Sequence, residues 1–263
     1  MILSQASFDA VANLFHRVSG IRLTPSKRQL VIGRLQKLAK ENGSHSLDEY
    51  VARVLAGEES EMVKVVDRLT TNETYFFREP QHFHFLVDWL KHQRSGQPVR
   101  IWSAASSSGE EAYSIAMILA DKIGPTGWEI VGTDLSTAMV EAGCRALYPM
   151  ERGRQMPPEY LKRFCMKGQG PYEGHFLVNK ALRDRVRFLS ANLMQPLPDI
   201  GQFDIIYLRN VLIYFDPPAK CEIVERVCRQ LKPQGYLFTG HSESLSNLDV
   251  GLVSVQPAVY ARA

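Results

Sequence analysis

Two adjacent carboxylates, Glu110 and Glu111, end a loop of small residues that follows the apolar run VRIWSA (99–104). The loop lets backbone amides come close to a bound molecule just before a helix begins. Two carboxylates would repel a pyrophosphate, so a ligand bearing a cation or an amino acid fits better. Acidic residues in a first helical turn are also ordinary, because they interact favourably with the helix dipole. Spacing alone does not separate Glu110 from Glu111.

A further acidic residue, Asp134, closes a second apolar run, WEIVGTD (128–134). A carboxylate at the end of such a strand can accept paired hydrogen bonds from a ribose diol. The alternative is that Asp134 caps the helix predicted to begin near Ser136. The small-residue loop and this carboxylate together indicate a nucleoside ligand. The missing phosphate cradle favours S-adenosylmethionine over a dinucleotide.

Two more polar pairs follow apolar runs and should reach the same edge of a sheet: Asn192 with Leu193, and Arg209 with Asn210. An asparagine can hydrogen-bond the edge of an adenine, and a leucine can flank the base. Asn192 is equally explained as a turn residue ahead of Pro196.

A polar and then aromatic segment, residues 70–80, connects the two halves of the chain and is unlike a flexible linker. We expect it to pack over the ligand cleft. Its Arg78 has a guanidinium fork that could hold the carboxylate of an acidic substrate. The alternative is a salt bridge from Arg78 to Glu79 or another neighbour.

The elements that must position these residues form two patterns. Residues 1–70 have apolar residues at helical spacing throughout, with a proline helix start at Thr24-Pro25 and a capping box at 46–49. After residue 97, short apolar runs alternate with amphipathic helices, which predicts a doubly wound α/β fold with a parallel sheet. The predicted organisation is a helical domain over 1–70, a linking segment with one helix over 71–97, and an α/β domain over 98–263.

One stretch, about residues 167–190, interrupts this alternation with glycines and a proline. Its runs HFLV and VRFL predict a small antiparallel hairpin inserted in the larger fold.

Composition limits the classes of protein. The chain has 263 residues, is 45% hydrophobic and carries a formal net charge of +3, values typical of a folded globular protein. The four cysteines form no CxxC pair, which argues against a metal or redox cluster and favours buried thiols. The start, MILSQASFDA, does not resemble a signal peptide, and no apolar run is long enough to span a bilayer, so we expect a cytoplasmic protein.

Basic charge is concentrated at the amino terminus. Residues 1–40 hold seven basic residues and one acidic residue, a net charge of +6, whereas residues 41–70 have a net charge of −4. Lys27, Arg34 and Lys37 share one side of the helix predicted over 25–40. This stripe suits an acidic helical partner, although a solvated helix face would have the same pattern. The aromatic interleaving and high pI of a nucleic-acid binder are absent.

Four motifs carry a family resemblance: TNETYFFRE (71–79), WSAASSSGEEAYSIAM (102–117), RNVLIYFD (209–216) and LKPQGYLFTGHSES (231–244). In this order they resemble the CheR-type chemotaxis receptor methyltransferases, which are protein-glutamate O-methyltransferases. The resemblance covers nearly the whole chain, including the helical domain and the insertion. One departure is Gln234, where many members have glycine.

The resemblance implies a Rossmann-like class I methyltransferase domain that transfers methyl groups from S-adenosylmethionine to glutamates of chemoreceptors, without a metal. Arg78 and Tyr214 would flank the transferred methyl and the incoming carboxylate, although Tyr214 could equally be a core aromatic. The family pattern selects Glu111 over Glu110. The implied cofactor contacts are Asn72, Thr74, Arg78, Glu111, Asp134, Asn192, Leu193, Arg209 and Asn210.

The implied partners are methyl-accepting receptors, docked through Lys27, Arg34 and Lys37. In some members the inserted subdomain also captures a receptor tail peptide as an edge strand. We expect a monomer that neither inserts into membranes nor binds nucleic acid. The alternative is a catalytically idle adaptor that keeps the cofactor fold and binds receptors.

Overall fold

The computed structural model describes residues 1–93, 97–248 and 250–262. Residues 94–96 of the segment predicted over 71–97, and residues 249 and 263 of the domain predicted over 98–263, lie outside the described residues. Within the described residues, no helix is both long and apolar enough to cross a membrane.

The amino-terminal part, which we call the helical domain (residues 1–70), is entirely helical, as predicted. The first helix begins at Ser4, whose hydroxyl accepts a hydrogen bond from the Ser7 amide, and ends at Gly20 in a left-handed conformation. Phe8, Val11 and Phe15 on its inner face are buried. The four helices are α1 (Gln5–Ser19), α2 (Arg28–Glu41), α3 (Leu47–Leu55) and α4 (Glu59–Leu69).

Both predicted helix starts in this domain differ in detail. Pro25 opens a single 3-10 turn, Pro25–Lys27, and the α-helix follows it. The Ser46 hydroxyl accepts from the Glu49 amide at 3.0 Å, as a capping box requires. The Glu49 carboxylate, however, accepts from the His45 amide at 2.8 Å.

The rest of the chain, including the linking segment, forms what we call the sheet domain. Its helices are α5 (Pro80–Leu90), α6 (Glu110–Lys122), α7 (Thr137–Arg145), α8 (Pro158–Phe164), α9 (Lys180–Arg183) and α10 (Pro217–Cys228). Its strands are β1 (Val99–Ala104), β2 (Trp128–Asp134), β3 (Leu147–Pro149), β4 (Cys165–Lys167), β5 (His175–Val178), β6 (Val186–Ser190), β7 (Phe203–Leu208), β8 (Leu231–Thr239), β9 (Leu252–Gln256) and β10 (Val259–Arg262).

A seven-stranded sheet has the order β6-β2-β1-β7-β8-β10-β9. The first five strands are parallel, and their buried faces pack against helices on both sides, so the predicted doubly wound α/β fold is confirmed. The sheet is mixed rather than fully parallel, because β10 runs antiparallel to both β8 and β9. The chain winds outward in opposite directions from β1 and β7, and a crevice opens at the carboxyl ends of these two strands.

The small sheet differs from the predicted hairpin. HFLV does not pair with VRFL: HFLV is the middle strand of a separate sheet, β3-β5-β4, and VRFL joins the main sheet beside β2. A tight turn between the two runs is impossible because the residues between them form α9. The small sheet therefore draws its strands from residues 147–178, a wider part of the chain than the predicted insertion.

The backbone at Gln234 has an uncommon conformation. Gln234, which stands where the resembling family often has glycine, has a left-handed φ of 62°, a conformation that favours glycine.

The prediction of buried thiols is wrong, because Cys144 is exposed and the other three cysteines are half-buried.

Candidate active site

A cleft opens where the carboxyl ends of β1, β2 and β7 meet the linking segment and the helical domain. Its wall includes Arg22, Leu23 and Leu30 from the helical domain, so both domains form it. It brings together most of the predicted site residues: Lys27, Asn72, Thr74, Arg78, Glu111, Asp134, Asn192, Leu193, Arg209, Asn210 and Tyr214.

Asp134 closes β2 with its carboxylate held by backbone amides. Its two oxygens accept hydrogen bonds from the amides of Ser107 at 2.8 Å and Ser136 at 2.9 Å. The predicted alternative, that Asp134 caps the next helix, is wrong because the cap of α7 is Ser136. Burial raises the pKa of Asp134 to about 6 despite these amides. The carboxylate lines the cleft and has lone pairs available for a ligand.

The structure separates the two neighbouring glutamates at the start of α6. Glu111 lines the cleft and accepts from the Ser103 hydroxyl at 2.6 Å and from Arg209 at 2.9 Å. Glu110 is directed to the hydroxyl of Ser108 at 2.7 Å and to Arg152 at 3.2 Å. Burial raises the pKa of both carboxyls.

Beneath the cleft, the side chain of Arg209 is only 2% exposed. Its guanidinium lies 2.9 Å from Glu111 and 3.1 Å from Glu79, and it donates to the carbonyl of Arg78. The pKa of Glu79 is lowered: burial alone would raise it, but the charge of Arg209 and hydrogen bonds outweigh burial. Two buried carboxylates thus share one buried cation.

Sequence reasoning missed the roles of Glu79 and Glu243 in this network. Asn210 donates its amide to Glu243 at 2.6 Å and its side-chain nitrogen to Glu79 at 3.1 Å. The Ile213 amide also donates to Glu243, at 3.1 Å. Glu79 is the last residue of the motif TNETYFFRE, and Glu243 lies in the GHSES end of the motif at 231–244. Their presence in these motifs was the sequence evidence that could have identified them as site residues.

Strained backbone is concentrated around this network. Left-handed φ values between 49° and 59° occur at Phe77, Glu79, Ala105, Ser107 and Asn210. Each costs on the order of 1 kcal/mol or more for a residue other than glycine, so the surrounding structure must hold these positions in place. Such strain is typical of a functional site.

Arg78 and Tyr214 are half-buried and line the cleft. The Arg78 guanidinium donates to the Glu73 carbonyl at 2.9 Å and lies 5.6 Å from the centre of the Tyr75 ring. The alternative pairing of Arg78 with Glu79 is replaced by the pairing of Glu79 with Arg209. Burial raises the pKa of Tyr214, against an opposing effect from Arg78. The phenol is therefore protonated at neutral pH and is a hydrogen-bond donor.

Other predicted cofactor contacts hold the linking segment and the helical domain in place. The Asn192 side chain donates to the carbonyl of Val18 at 2.6 Å, at the end of α1, and accepts from the Met194 amide at 2.9 Å. Asn72 donates to the Thr70 hydroxyl at 3.1 Å. The Thr74 carbonyl accepts from Arg152, and Leu193 is buried.

The three residues predicted to form a basic stripe have different surroundings. Lys27 is exposed and lines the cleft. Arg34 donates to the carbonyls of Leu69 at 2.7 Å and Thr70 at 3.0 Å, which ties α2 to the end of α4, and to the Thr71 hydroxyl at 3.3 Å. Lys37 is exposed and lies 3.7 Å from Glu41. Their role in docking stays a prediction.

Comparison with known families identifies the family to which this chain belongs. The family model described as "CheR methyltransferase, SAM binding domain" matches residues 72–258, and "CheR methyltransferase, all-alpha domain" matches residues 6–70. The chain belongs to the CheR methyltransferase family. It is therefore an S-adenosylmethionine-dependent methyltransferase, and the family resemblance drawn from the four motifs is confirmed.

Similar chemotaxis protein methyltransferases match along nearly their whole length. The chain is 38% identical over 265 residues to a chemotaxis protein methyltransferase of Escherichia coli K12, covering 99% of this chain and 92% of that protein. It is 39% identical over 264 residues to chemotaxis protein methyltransferase 2 of Pseudomonas aeruginosa, covering 99% and 94%. A solved structure, the glycopeptide N-methyltransferase MtfA with sinefungin, is 14% identical over 64% of this chain and 50% of that chain, with a TM-score of 0.39.

The cleft suits S-adenosylmethionine by its own chemistry. Asp134 offers a carboxylate for hydroxyl donors, and Glu111 offers one for an ammonium. The buried Ser106 hydroxyl, also in the cleft wall, has no hydrogen-bond partner among the described residues. A buried polar atom of this kind indicates a site for a polar ligand.

Proposed function

We propose that this CheR-family chain transfers methyl groups from S-adenosylmethionine to glutamate side chains of methyl-accepting chemotaxis receptors, forming glutamate methyl esters for adaptation. The observation that carries this proposal is one cleft that combines three features. Its floor has acceptors for a nucleoside and an amino acid, the half-buried Arg78 and Tyr214 line its wall, and exposed Lys27 of the helical domain forms part of its rim. The names of the chemotaxis methyltransferase relatives support the choice of receptor.

In this proposal the carboxylate of Asp134 accepts from the ribose hydroxyls and that of Glu111 from the amino-acid ammonium. When bound, S-adenosylmethionine supplies an electrophilic methyl group on a sulfonium centre. The residues that complete the cofactor site are Asn72, Thr74, Arg78, Asn192, Leu193, Arg209 and Asn210. Arg209 contributes by holding Glu111 in place, because its guanidinium is already shared between Glu111 and Glu79.

The chain's own residues bring the substrate carboxylate into position. A glutamate is ionised at neutral pH, since its reference pKa is about 4.3, so this chemistry requires alignment and exclusion of water rather than a general base. Arg78 orients the carboxylate through its guanidinium fork. Tyr214, a phenol that is protonated at neutral pH, donates a hydrogen bond to the same group. No proton has to move, and His241 is given no proton-transfer role.

The proposed partner is the acidic helical bundle of a receptor, which would dock on Lys27, Arg34 and Lys37. Lys27 and Lys37 are exposed and available for such a contact. A receptor tail peptide would add as a strand to an edge of the small sheet, β3-β5-β4. The same proposal has the chain act as a monomer in the cytoplasm, with no metal taking part in the methyl transfer and without nucleic acid or membrane insertion.

The test is transfer of labelled methyl from S-adenosylmethionine to membranes that contain chemoreceptors. Label that mild base releases as methanol would establish a carboxyl methyl ester. Arg78→Ala should abolish most of the transfer, whereas the control Arg145→Ala, an exposed arginine at the end of α7, should retain it. Tight cofactor binding without label on several receptors would instead favour the idle adaptor.

A further inference from the structure

Two histidines and one glutamate meet beside the buried side chain of Arg209. Glu79 and His82 stand at the start of α5, and His241 follows β8. One donor atom from each side chain lies within 4.8 Å of those of the other two. The Glu79 carboxylate is 3.5 Å from Nδ1 of His82 and 3.9 Å from Nε2 of His241.

The imidazole ring of His82 is buried against other aromatic rings. Its side chain is completely buried, packed 5.2 Å from the Phe238 ring and stacked 5.0 Å from His241. Neither ring nitrogen has a hydrogen-bond partner among the described residues. A neutral imidazole carries a lone pair on one of its two ring nitrogens, which can bind a metal ion. A buried polar group without a partner is unfavourable, and a bound ligand would compensate it.

The other two side chains also have coordinating capacity. One oxygen of Glu79 accepts from Asn210, and the second lies 3.1 Å from Arg209 without a well-aligned hydrogen bond among the described residues. The side chain of His241 is 43% exposed, so the cluster is reached from solvent on that side. Its Nε2 has only a long contact of 3.4 Å, to the Gln81 side chain.

We propose that Glu79, His82 and His241 form a binding site for a divalent transition-metal ion, with Zn²⁺ as the ion that the donor set favours. Two imidazoles and one carboxylate are ordinary zinc ligands, and three protein ligands leave a fourth position open. Zinc bonds of about 2.0–2.1 Å place tetrahedral ligands roughly 3.3 Å apart. The 3.5 Å pair is close to this spacing. His241 lies 3.9 Å from Glu79 and within 4.8 Å of the His82 donor, so its partly exposed ring has to move inward to complete the site.

The site is coupled to the cleft through Glu79. A bound ion would take the same oxygen that faces Arg209, and Arg209 also holds Glu111. The sequence predicted no metal because it offered no cysteine cluster, whereas these ligands come from separate segments that only the fold brings together. The inference does not depend on the proposed methyl acceptor, since it concerns metal binding alone.

The experiment uses the full chain, stripped of metal with a chelator and titrated with Zn²⁺ against a chromophoric competitor. We expect one site per chain, and His241→Ala should weaken it at least 10-fold. His241 is the variant of choice because it is partly exposed, whereas His82 is fully buried and its replacement endangers folding. The matched control is His84→Ala, an exposed histidine on α5, which should bind as the parent chain does. Circular dichroism verifies that both variants fold.

The proposal would be overturned if the His241→Ala variant bound Zn²⁺ as tightly as the parent chain. It would also be overturned if His84→Ala lost as much affinity as His241→Ala, because exposed histidines would then account for the binding. Cobalt substitution gives a second readout. A tetrahedral ligand-field spectrum without a thiolate charge-transfer band supports the two histidines and the carboxylate. A thiolate band would assign the ion to a cysteine and overturn the site.

Discussion

The floor and the rim of the cleft are built in opposite ways. On the floor, Arg209, Glu79 and Glu111 are largely buried, and each has a charged partner at 3.1 Å or closer. On the rim, Arg22 is 67% exposed and has one contact with Asp216 at 3.3 Å, and Lys27 is also exposed. The floor is therefore fixed before any ligand arrives, whereas the rim can adapt. A small cofactor needs the first property, and a large protein partner needs the second.

The largest effect should come from breaking the floor. Arg209→Met removes the cation shared by Glu79 and Glu111 and leaves two buried carboxylates without it. We expect unfolding to become easier by about 3–5 kcal/mol, because an unpaired buried charge is costly. Chemical denaturation measures this loss. Adding Glu79→Gln to Arg209→Met should restore part of the stability, and no restoration would contradict the shared-cation account.

Arg78 stands between floor and rim and should affect catalysis without affecting stability. Arg78→Ala should lower kcat for receptor methylation by about 10²-fold, the usual cost of losing one donor that acts on the reacting group. The free energy of unfolding should change by less than about 0.5 kcal/mol, because the side chain is only half-buried and its hydrogen bond is to a carbonyl. Full turnover in this variant would refute the orienting role.

Asp134 should make the floor sensitive to pH. Its pKa is raised to about 6, so its carboxylate is ionised at pH 7 and mostly protonated at pH 5. If the ionised form accepts from the cofactor, affinity for S-adenosylmethionine should be about 10-fold weaker at pH 5 than at pH 7. Calorimetric titration at both values measures this difference, and it should vanish in Asp134→Asn.

The same raised pKa predicts the sign of a stability change in the ligand-free chain. The folded state holds the proton of Asp134 more tightly than the unfolded state does. The contribution of this group to stability is therefore fully present below about pH 4, is lost as the pH rises through about 6, and is constant above about pH 7. A contribution that rises over this window would contradict the burial argument.

The smallest effect should come from the rim. Lys27→Ala should raise KM for the receptor by a few-fold with kcat unchanged, because an exposed charge contributes mainly to encounter. The effect should shrink at high salt. Lys40→Ala, an exposed lysine near the end of α2, is the matched control and should leave KM unchanged. Equal effects from both variants would indicate general charge attraction rather than a defined rim.

Most helices and strands of the two domains, and the functional residues at the ends of the strands, were predictable from sequence. The α/β alternation and the helical first domain follow from local periodicity, and Asp134 and Glu111 were found because they follow apolar strands. Strand partners were not predictable in the same way. The short run VRFL carries no local information on whether it pairs with HFLV or with β2, and β9 was missed because Val253 and Val255 are exposed.

The buried ionic network was also beyond sequence reasoning. Glu79 and Arg209 are separated by 130 positions, and no periodicity relates them. The fold makes them neighbours because the linking segment crosses the end of β7, where the Arg78 carbonyl accepts from Arg209. Their motifs indicated importance, but the ion pairs depend on three-dimensional placement.

The hydrogen bond from Asn192 to the Val18 carbonyl joins the wall of the cofactor cleft to the last turn of α1. A ligand bound there is linked by mass action to the folded state of both domains, and at 100 times its Kd it adds about 2.7 kcal/mol to stability. Amide hydrogen exchange in α1 should therefore slow when the cleft is filled. The helical domain is in this sense a reporter of cofactor occupancy.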